Sequence, residues 1–200
     1  PQRAYPYGDL VEMNRQRGRD APEYELFDTG IFAENRYFDV FIEYAKATAD
    51  NLLIRITAFN RGPESADLHI LPTLWFRNTW SWGRKHGEIP RPTLKEISTG
   101  KNDRLKWTEV THATLGRYFL ICEDAEGLLF TENETNNERL FGSSNSSPYV
   151  KDAFHVYLIE NRKEAVNAEQ VGTKAAALYH DSVPAGESVS VRLCLLKADQ

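Results

Sequence analysis

The densest run of chemically capable side chains lies at Leu74-Trp75-Phe76-Arg77-Asn78-Thr79-Trp80-Ser81-Trp82-Gly83. Three of the chain's 4 Trp fall within these positions, interleaved with a guanidinium, a carboxamide and two hydroxyls. Aromatic faces stack on the apolar faces of sugar rings, and planar Arg or Asn groups bond sugar hydroxyls. Trp75, Arg77, Asn78, Trp80 and Trp82 are therefore candidates for carbohydrate contact. The commoner use of such a cluster is packing: Trp buries a large area and fills cores and interdomain contacts.

Other chemistries have weaker footing. Glycoside hydrolysis needs two carboxylates facing each other across the bond. Asp39 and Glu43 share a strand face, but solvated strand charges account for that pattern. The basic run Arg15-Gln16-Arg17-Gly18-Arg19-Asp20 reads as a solvated loop beside Glu23 and Glu25. His69, His86, His112, His155 and His180 are scattered, with no pair at metal-binding spacing, so no metal site is expected. No Gly-rich phosphate loop, dinucleotide fingerprint or Gly-x-Ser-x-Gly elbow occurs, and no cofactor is implied. Asn133-Glu134-Thr135 and Asn145-Ser146-Ser147 fit the N-glycosylation pattern, but read as chance matches in Asn/Ser-rich loops.

The elements that would position the Trp segment read as β-strands. Over Arg36–Thr48, apolar and polar residues alternate; Asp50-Asn51 signals a turn, and Leu52–Asn60 alternates again, predicting a hairpin. Ala66–Phe76 is extended, and Pro72 within it predicts an edge, bulge or break. Arg117–Glu123 and Leu128–Glu132 flank a turn at Asp124–Gly127. Thr173–Val183 and Val189–Leu196 flank another at Pro184–Glu187, and both pairs are expected to be hairpins. Helical spacing of Val150, Ala153, Phe154, Tyr157 and Leu158 after Ser147-Pro148 predicts one helix over Tyr149–Glu160. Trp82–Pro92 and Asn133–Ser147 read as long loops. The expected fold is mainly β: an antiparallel two-layer sandwich with about one helix.

Composition bounds the rest. The 200 residues are 41% hydrophobic and 26% charged, enough to bury a core. A net charge of −5 disfavours a general nucleic-acid binder. Cys122 and Cys194 allow one optional bridge and no disulfide scaffold. No apolar run is long enough to span a membrane as a helix. The chain starts at Pro1 without a leader and stops soon after Val189–Leu196; a piece of a larger chain is expected, with a processed protein as the alternative.

Several segments carry a resemblance. Tyr24-Glu25-Leu26-Phe27-Asp28-Thr29-Gly30, Arg36-Tyr37-Phe38-Asp39-Val40 and Glu43-Tyr44-Ala45-Lys46-Ala47 open the series. It continues in Asn60-Arg61-Gly62-Pro63-Glu64, Leu71 through Trp80, and Gly172-Thr173-Lys174-Ala175-Ala176-Ala177. Together they resemble the N-terminal region of large bacterial proteins related to glycoside hydrolase family 63, the mannosyl-oligosaccharide glucosidase family. The resemblance runs from Tyr5 to Leu196 and contains no catalytic signature.

It implies an N-terminal β-sandwich, entered part-way so that some first strands are missing, followed in the parent by an (α/α)6 barrel. That barrel holds the carboxylates of an inverting glucosidase. With one helix expected, residues 1–200 are a single sandwich domain without the barrel, and no catalytic residue carries over. The implied role is non-catalytic: to support the barrel and lend the Trp75–Gly83 loop to the substrate rim. The implied partners are the parent's barrel and its oligosaccharide or glucoside substrate, with a homodimer through an interdomain patch of Trp75, Phe76, Trp80 and Trp82. The expected location is the cytoplasm, with no membrane or nucleic-acid partner. The alternatives are an independent carbohydrate-binding module and an interaction scaffold.

Overall fold

The computed structural model of the chain describes residues 1–81, 90–98, 100 and 104–198. Trp82 and most of the expected Trp82–Pro92 loop lie outside the described residues. The chain is mainly β. In order come helix α1 (Tyr7–Gln16) and strands β1 (Phe38–Lys46), β2 (Asn51–Asn60), β3 (Ala66–Ile70), β4 (Thr73–Trp75), β5 (Thr93–Ile97), β6 (Leu105–His112), β7 (Gly116–Glu123) and β8 (Gly127–Thr131). Helices α2 (Asn137–Phe141) and α3 (Ala153–Ile159) follow, then β9 (Val171–Gly172), β10 (Lys174–Val183) and β11 (Ser188–Lys197).

The strands form two antiparallel sheets, as a sandwich requires. One has the order β1-β2-β11-β7-β6-β5-β9. The other is β3-β10-β4, with β8 also paired to β10. By compactness the chain divides into two units. The smaller comprises Pro1–Ile42, Ile56–Leu68 and Asp181–Ser190; the larger comprises Glu43–Arg55, His69–His180 and Val191–Gln200.

In the smaller unit, Asn60 is the hub. Its side chain is fully buried, so each polar atom must find a partner. Its Nδ2 donates to Glu64 O at 2.7 Å and Val183 O at 2.8 Å, and its Oδ1 accepts from Gly62 N at 2.8 Å and from Gln2 Nε2. A Cβ at Gly62 would lie 2.4 Å from Gln2 Oε1, so a larger residue there would have to displace the Gln2 side chain from Asn60. The Asn-Arg-Gly-Pro-Glu motif is therefore a folded corner. Arg61 bonds Asp39 at 2.6 Å, and Arg36 bonds Glu64 at 3.0 Å. α1, not expected from the sequence, buries none of its residues. Asn14 ties it down, donating to Tyr24 O and accepting from Tyr24 N, each at 2.8 Å.

In the larger unit, register sorts the side chains. Leu94 pairs with Val110 and Val110 with Tyr118; Thr108 pairs with Leu120, and Cys122 with Lys106 and Leu193. Paired residues share a face, and this one carries the buried Leu94, Thr108, Val110, Leu120, Cys122 and Leu193. Cys194 pairs with Ile121, one position on, and so points to the opposite face. Both cysteines are free. In β10, Ala175, Ala176 and Ala177 are all buried. Ala176 packs with Leu129 and with Phe154 of α3, while Ala175 and Ala177 pair with Phe130 and Leu128 on the other face. A strand covered on both faces reads as a continuous apolar run, and small residues let its neighbours come close.

Several expectations hold. β1 and β2 form the predicted hairpin, closed by Ala47 N donating to Asn51 O at 3.0 Å. The extended run Ala66–Phe76 breaks at Leu71-Pro72 into β3 and β4.

The two other expected hairpins are corrected. β7 and β8 belong to different sheets, as do β10 and β11. At the first link, Asp124 takes φ 54°, Ala125 is buried and Glu126 N donates to Leu178 O at 2.9 Å, so the turn dives into the core. At the second, Gly186 N donates to Asn60 O and Glu187 O accepts from Asn60 N, so the link bonds to the end of β2. Both are corners between sheets.

The predicted helix is shorter than Tyr149–Glu160. Tyr149 O accepts from Glu132 N and Lys151 N donates to Glu134 O, which ties 149–151 to the neighbouring segment; Ala153 N then closes a turn onto Val150 O, and α3 begins at Ala153. The expected loop Asn133–Ser147 contains α2.

Gly172 marks the crossing from β9 in one sheet to β10 in the other. A Cβ there would lie 2.3 Å from the backbone oxygen of Thr131. Gly172→Ala should cost about 1–3 kcal/mol, as overpacking against backbone does. Urea unfolding will show this as a lowered midpoint at unchanged slope; an unchanged midpoint would refute the close approach.

Burial pushes the Cys122 thiol up to about 12. At pH 8 its thiolate fraction is on the order of 10⁻⁴. Iodoacetamide should leave Cys122 unmodified in the native chain and label it only on unfolding, as mass spectrometry of the tryptic peptides will show.

Candidate functional site

Trp75 ends β4, where it pairs in register with Lys174 of β10. Paired residues share a face, so the indole and the lysine stem stand side by side. After Trp75 the chain leaves the sheet, and a buried carboxylate gathers the segment. Glu134 is only 6% exposed. Its Oε1 accepts from Trp80 Nε1 at 2.6 Å and lies 3.5 Å from Arg91 Nη2; its Oε2 accepts from Asn78 Nδ2 at 3.1 Å. A buried carboxylate is tolerated only when paired and hydrogen-bonded, and here the indole, the amide and the guanidinium supply those partners.

Asn78 is occupied on every side. Besides Glu134, its Nδ2 donates to Asn133 O at 2.9 Å, and its Oδ1 accepts from Ser81 N at 3.2 Å and Ser81 Oγ at 2.8 Å. Asn133 Nδ2 donates in turn to Phe76 O at 2.8 Å. Phe76 is half-buried, its ring 4.7 Å from that of His112. The expected patch of Trp75, Phe76, Trp80 and Trp82 is thus divided: Trp75 is 55% exposed, Phe76 and Trp80 are half-buried, and Trp82 is outside the described residues. Arg77 is exposed and engaged in an interaction of its own.

A cleft of about 500 Å³ opens beside Trp75. Its other lining residues are Asn78, Ser81, Asn133, Thr135, Lys151 and Lys174. Lys174 Nζ donates to Lys151 O at 2.6 Å and sits 4.8 Å over the Phe154 ring. Burial lowers its pKa, with Asp152 opposing that and Lys151 adding to it. Lys151 Nζ donates to Thr135 Oγ1 at 3.2 Å. The cleft thus offers an aromatic face, hydroxyls, amides and two ammonium groups, which stack and donate hydrogen bonds. Among the described residues no carboxylate lines it, whereas acid–base hydrolysis needs a facing pair.

A larger hollow of about 630 Å³ lies against Gly142–Pro148 and Glu138 and has no aromatic wall. Asp39 and Glu43 are each held by an arginine, Arg61 and Arg55 respectively. Among the described residues no group of three metal-ligating side chains occurs, and no helix is long and apolar enough to cross a membrane.

Of the sequence candidates, Trp75 and Asn78 line the cleft and Trp80 anchors its floor. Glu134, Thr135, Lys151 and Lys174 were not foreseen. Lys174 was the findable one: it is the charged residue heading the apolar run Ala175–Leu178.

No family model matches the sequence. The chain is similar to the uncharacterized Saccharomyces cerevisiae protein YMR196W, at 35% identity over 222 aligned positions covering 95% of this chain. These make up 20% of that protein, so the chain spans about a fifth of the length of the curated relative it matches.

Glu134→Leu removes the acceptor of the Trp80 indole N–H and one acceptor of the Asn78 amide, as well as the ion-pair partner of the exposed Arg91, and should destabilise by about 1–3 kcal/mol. Glu134→Gln keeps one acceptor oxygen and should cost less. Urea denaturation followed by Trp fluorescence tests the order; equal, negligible losses would show that the carboxylate does not hold the segment.

Proposed function

We propose that this chain is a non-catalytic β-sandwich domain of a larger, glucosidase-like glycoside hydrolase related to family 63, presenting the Trp75 cleft to carbohydrate. The observation that carries this reading is the split within the Trp segment. Trp80 is tied down by Glu134, while the Trp75 ring stands 55% exposed at the wall of a polar cleft. Register places this exposed indole beside Lys174 at the strand end, with a face open for stacking on a sugar ring. The residues that carry the family resemblance now have structural roles that support it: Asn60 and Gly62 build a corner, and Gly172 allows the crossing into β10.

In this reading catalysis belongs to carboxylates of an (α/α)6 barrel elsewhere in the parent, with the cleft at the substrate rim. The cytoplasm is the compartment that suits two free cysteines. A second reading, an interdomain or scaffold surface, draws on β1. Val40, Phe41 and Ile42 are 52%, 53% and 53% exposed on both faces of an edge strand. Such a strand is suited to being covered by the barrel or by a second copy.

Isothermal titration of the full chain with maltotriose tests the first reading. Binding is expected, with Trp75→Ala weakening it at least about tenfold, or about 1.4 kcal/mol. The substitution is at an exposed position, so stability should change by no more than about 0.5 kcal/mol. Absent binding, or binding indifferent to Trp75, would refute the reading.

A further inference from the structure

The charge of the cleft does not match the charge of the molecule. The chain carries a net −5, yet among the described residues the charged side chains lining the Trp75 cleft are Lys151 and Lys174. Among the described residues neither ammonium forms an ion pair: Lys151 Nζ bonds the Thr135 hydroxyl, and Lys174 Nζ bonds a backbone oxygen and lies over a ring. The neighbouring carboxylates are committed elsewhere. Glu134 is buried under the cleft with Trp80, Asn78 and Arg91. Asp152, in an adjoining hollow of about 250 Å³ that shares both lysines, accepts from Arg139 at 3.1 Å and from Asn136.

Of the two cations beside the exposed indole, Lys151 is solvated and Lys174 is half-buried and, among the described residues, without a direct ion pair. Half-burial of Lys174 makes its charge less favourable in the empty cleft, and an anion bound there would relieve that cost. A concave wall of one sign also focuses the field on an incoming anion.

The geometry points to an acidic saccharide as the ligand: a sugar ring stacked on Trp75 whose carboxylate or phosphate is held by Lys151 and Lys174. This rests on the carbohydrate reading above and narrows it. Register supports the spacing, because Trp75 and Lys174 are direct cross-strand partners, their Cβ atoms about 4.5–5.5 Å apart. An anionic substituent on a stacked ring therefore reaches Lys174 without leaving the indole.

The test is a titration of the full chain with four probes at low salt: maltotriose, maltotriose oxidised at C6 to the glucuronate form, maltotriose 6-phosphate, and inorganic phosphate. At least one acidic trisaccharide is expected to bind at least about tenfold tighter than maltotriose. The gap should shrink to less than about twofold in 1 M sodium chloride, where the Debye length is about 3 Å. Lys151→Gln and Lys174→Met should each close most of the gap, which is read in every variant against that variant's own maltotriose affinity. The better of the two acidic probes identifies the anion. If the Lys174 variant is unfolded by circular dichroism, Lys151→Gln and the salt dependence decide alone.

Equal binding of all three trisaccharides, sensitive to Trp75→Ala, would overturn the acidic-saccharide inference and leave the carbohydrate reading standing. Binding by none of the trisaccharides would overturn both. So would inorganic phosphate binding as tightly as the phosphorylated sugar with no effect of Trp75→Ala, because the site would then hold an anion and no sugar.

Discussion

In the larger unit, the approach of Gly172 to Thr131 sets the positions of everything the site uses. The chain must leave one sheet at β9 and enter the other at β10 within a single residue, Thr173. Thr173 N donates to Thr131 O at 3.1 Å, at the spot where only glycine fits one residue earlier. The Thr173 hydroxyl then bonds in two directions, donating to Glu132 at 2.7 Å and accepting from Asn133 N at 2.8 Å. The crossover thereby fixes the backbone on which Asn133 and Glu134 stand. Those two side chains fix Phe76, Asn78 and Trp80. Lys174, the next residue after the crossover, is placed opposite Trp75 by the same register.

Period-two alternation made most strands readable, because a half-buried strand writes its two faces directly into the chain. It identified β1, β2, β7, β8, β10 and β11 as strand material and left β5 and β6 unread, and it carries no information on which strand pairs with which. The links 124–127 and 184–187 have the length and composition of hairpin turns. What distinguishes them is where their backbone groups bond: Glu126 to Leu178, and Gly186 and Glu187 to Asn60. Those partners lie far away in sequence, so no local reading could have found them. α1 was missed for a related reason. None of its residues is fully buried, its apolar residues Tyr7, Leu10, Val11 and Met13 stand among charged ones, and Asn14 and Asp9 tie it to Tyr24.

The site was legible in part, and the division is instructive. The Trp segment stood out by composition, yet composition could not say which indole faces solvent. That depends on Glu134, which in the sequence is one acid among 29 in a stretch rich in Asn and Ser. Its burial is a property of the fold. Asn133-Glu134-Thr135 likewise matched a glycosylation pattern, but the Asn133 amide is spent on Phe76 O.

Asn78 shows how a polar group in a cleft can be structural while its neighbours remain available. Its donors and its acceptor are all engaged by Asn133, Glu134 and Ser81, so it shapes the wall and has little left to offer a ligand. The groups with capacity to spare are the Lys151 and Lys174 ammoniums, each holding three donors and using one in a hydrogen bond, together with the open face of Trp75. Recognition at this cleft then divides in two. A rigid part is the strand that carries Trp75, whose register places the residue opposite Lys174. An adaptable part comes from two flexible cationic side chains. Such a division favours a ligand whose ring is presented in one way while its polar substituents vary, because rigid anchors lower the entropic cost of binding and long side chains accommodate differences in position.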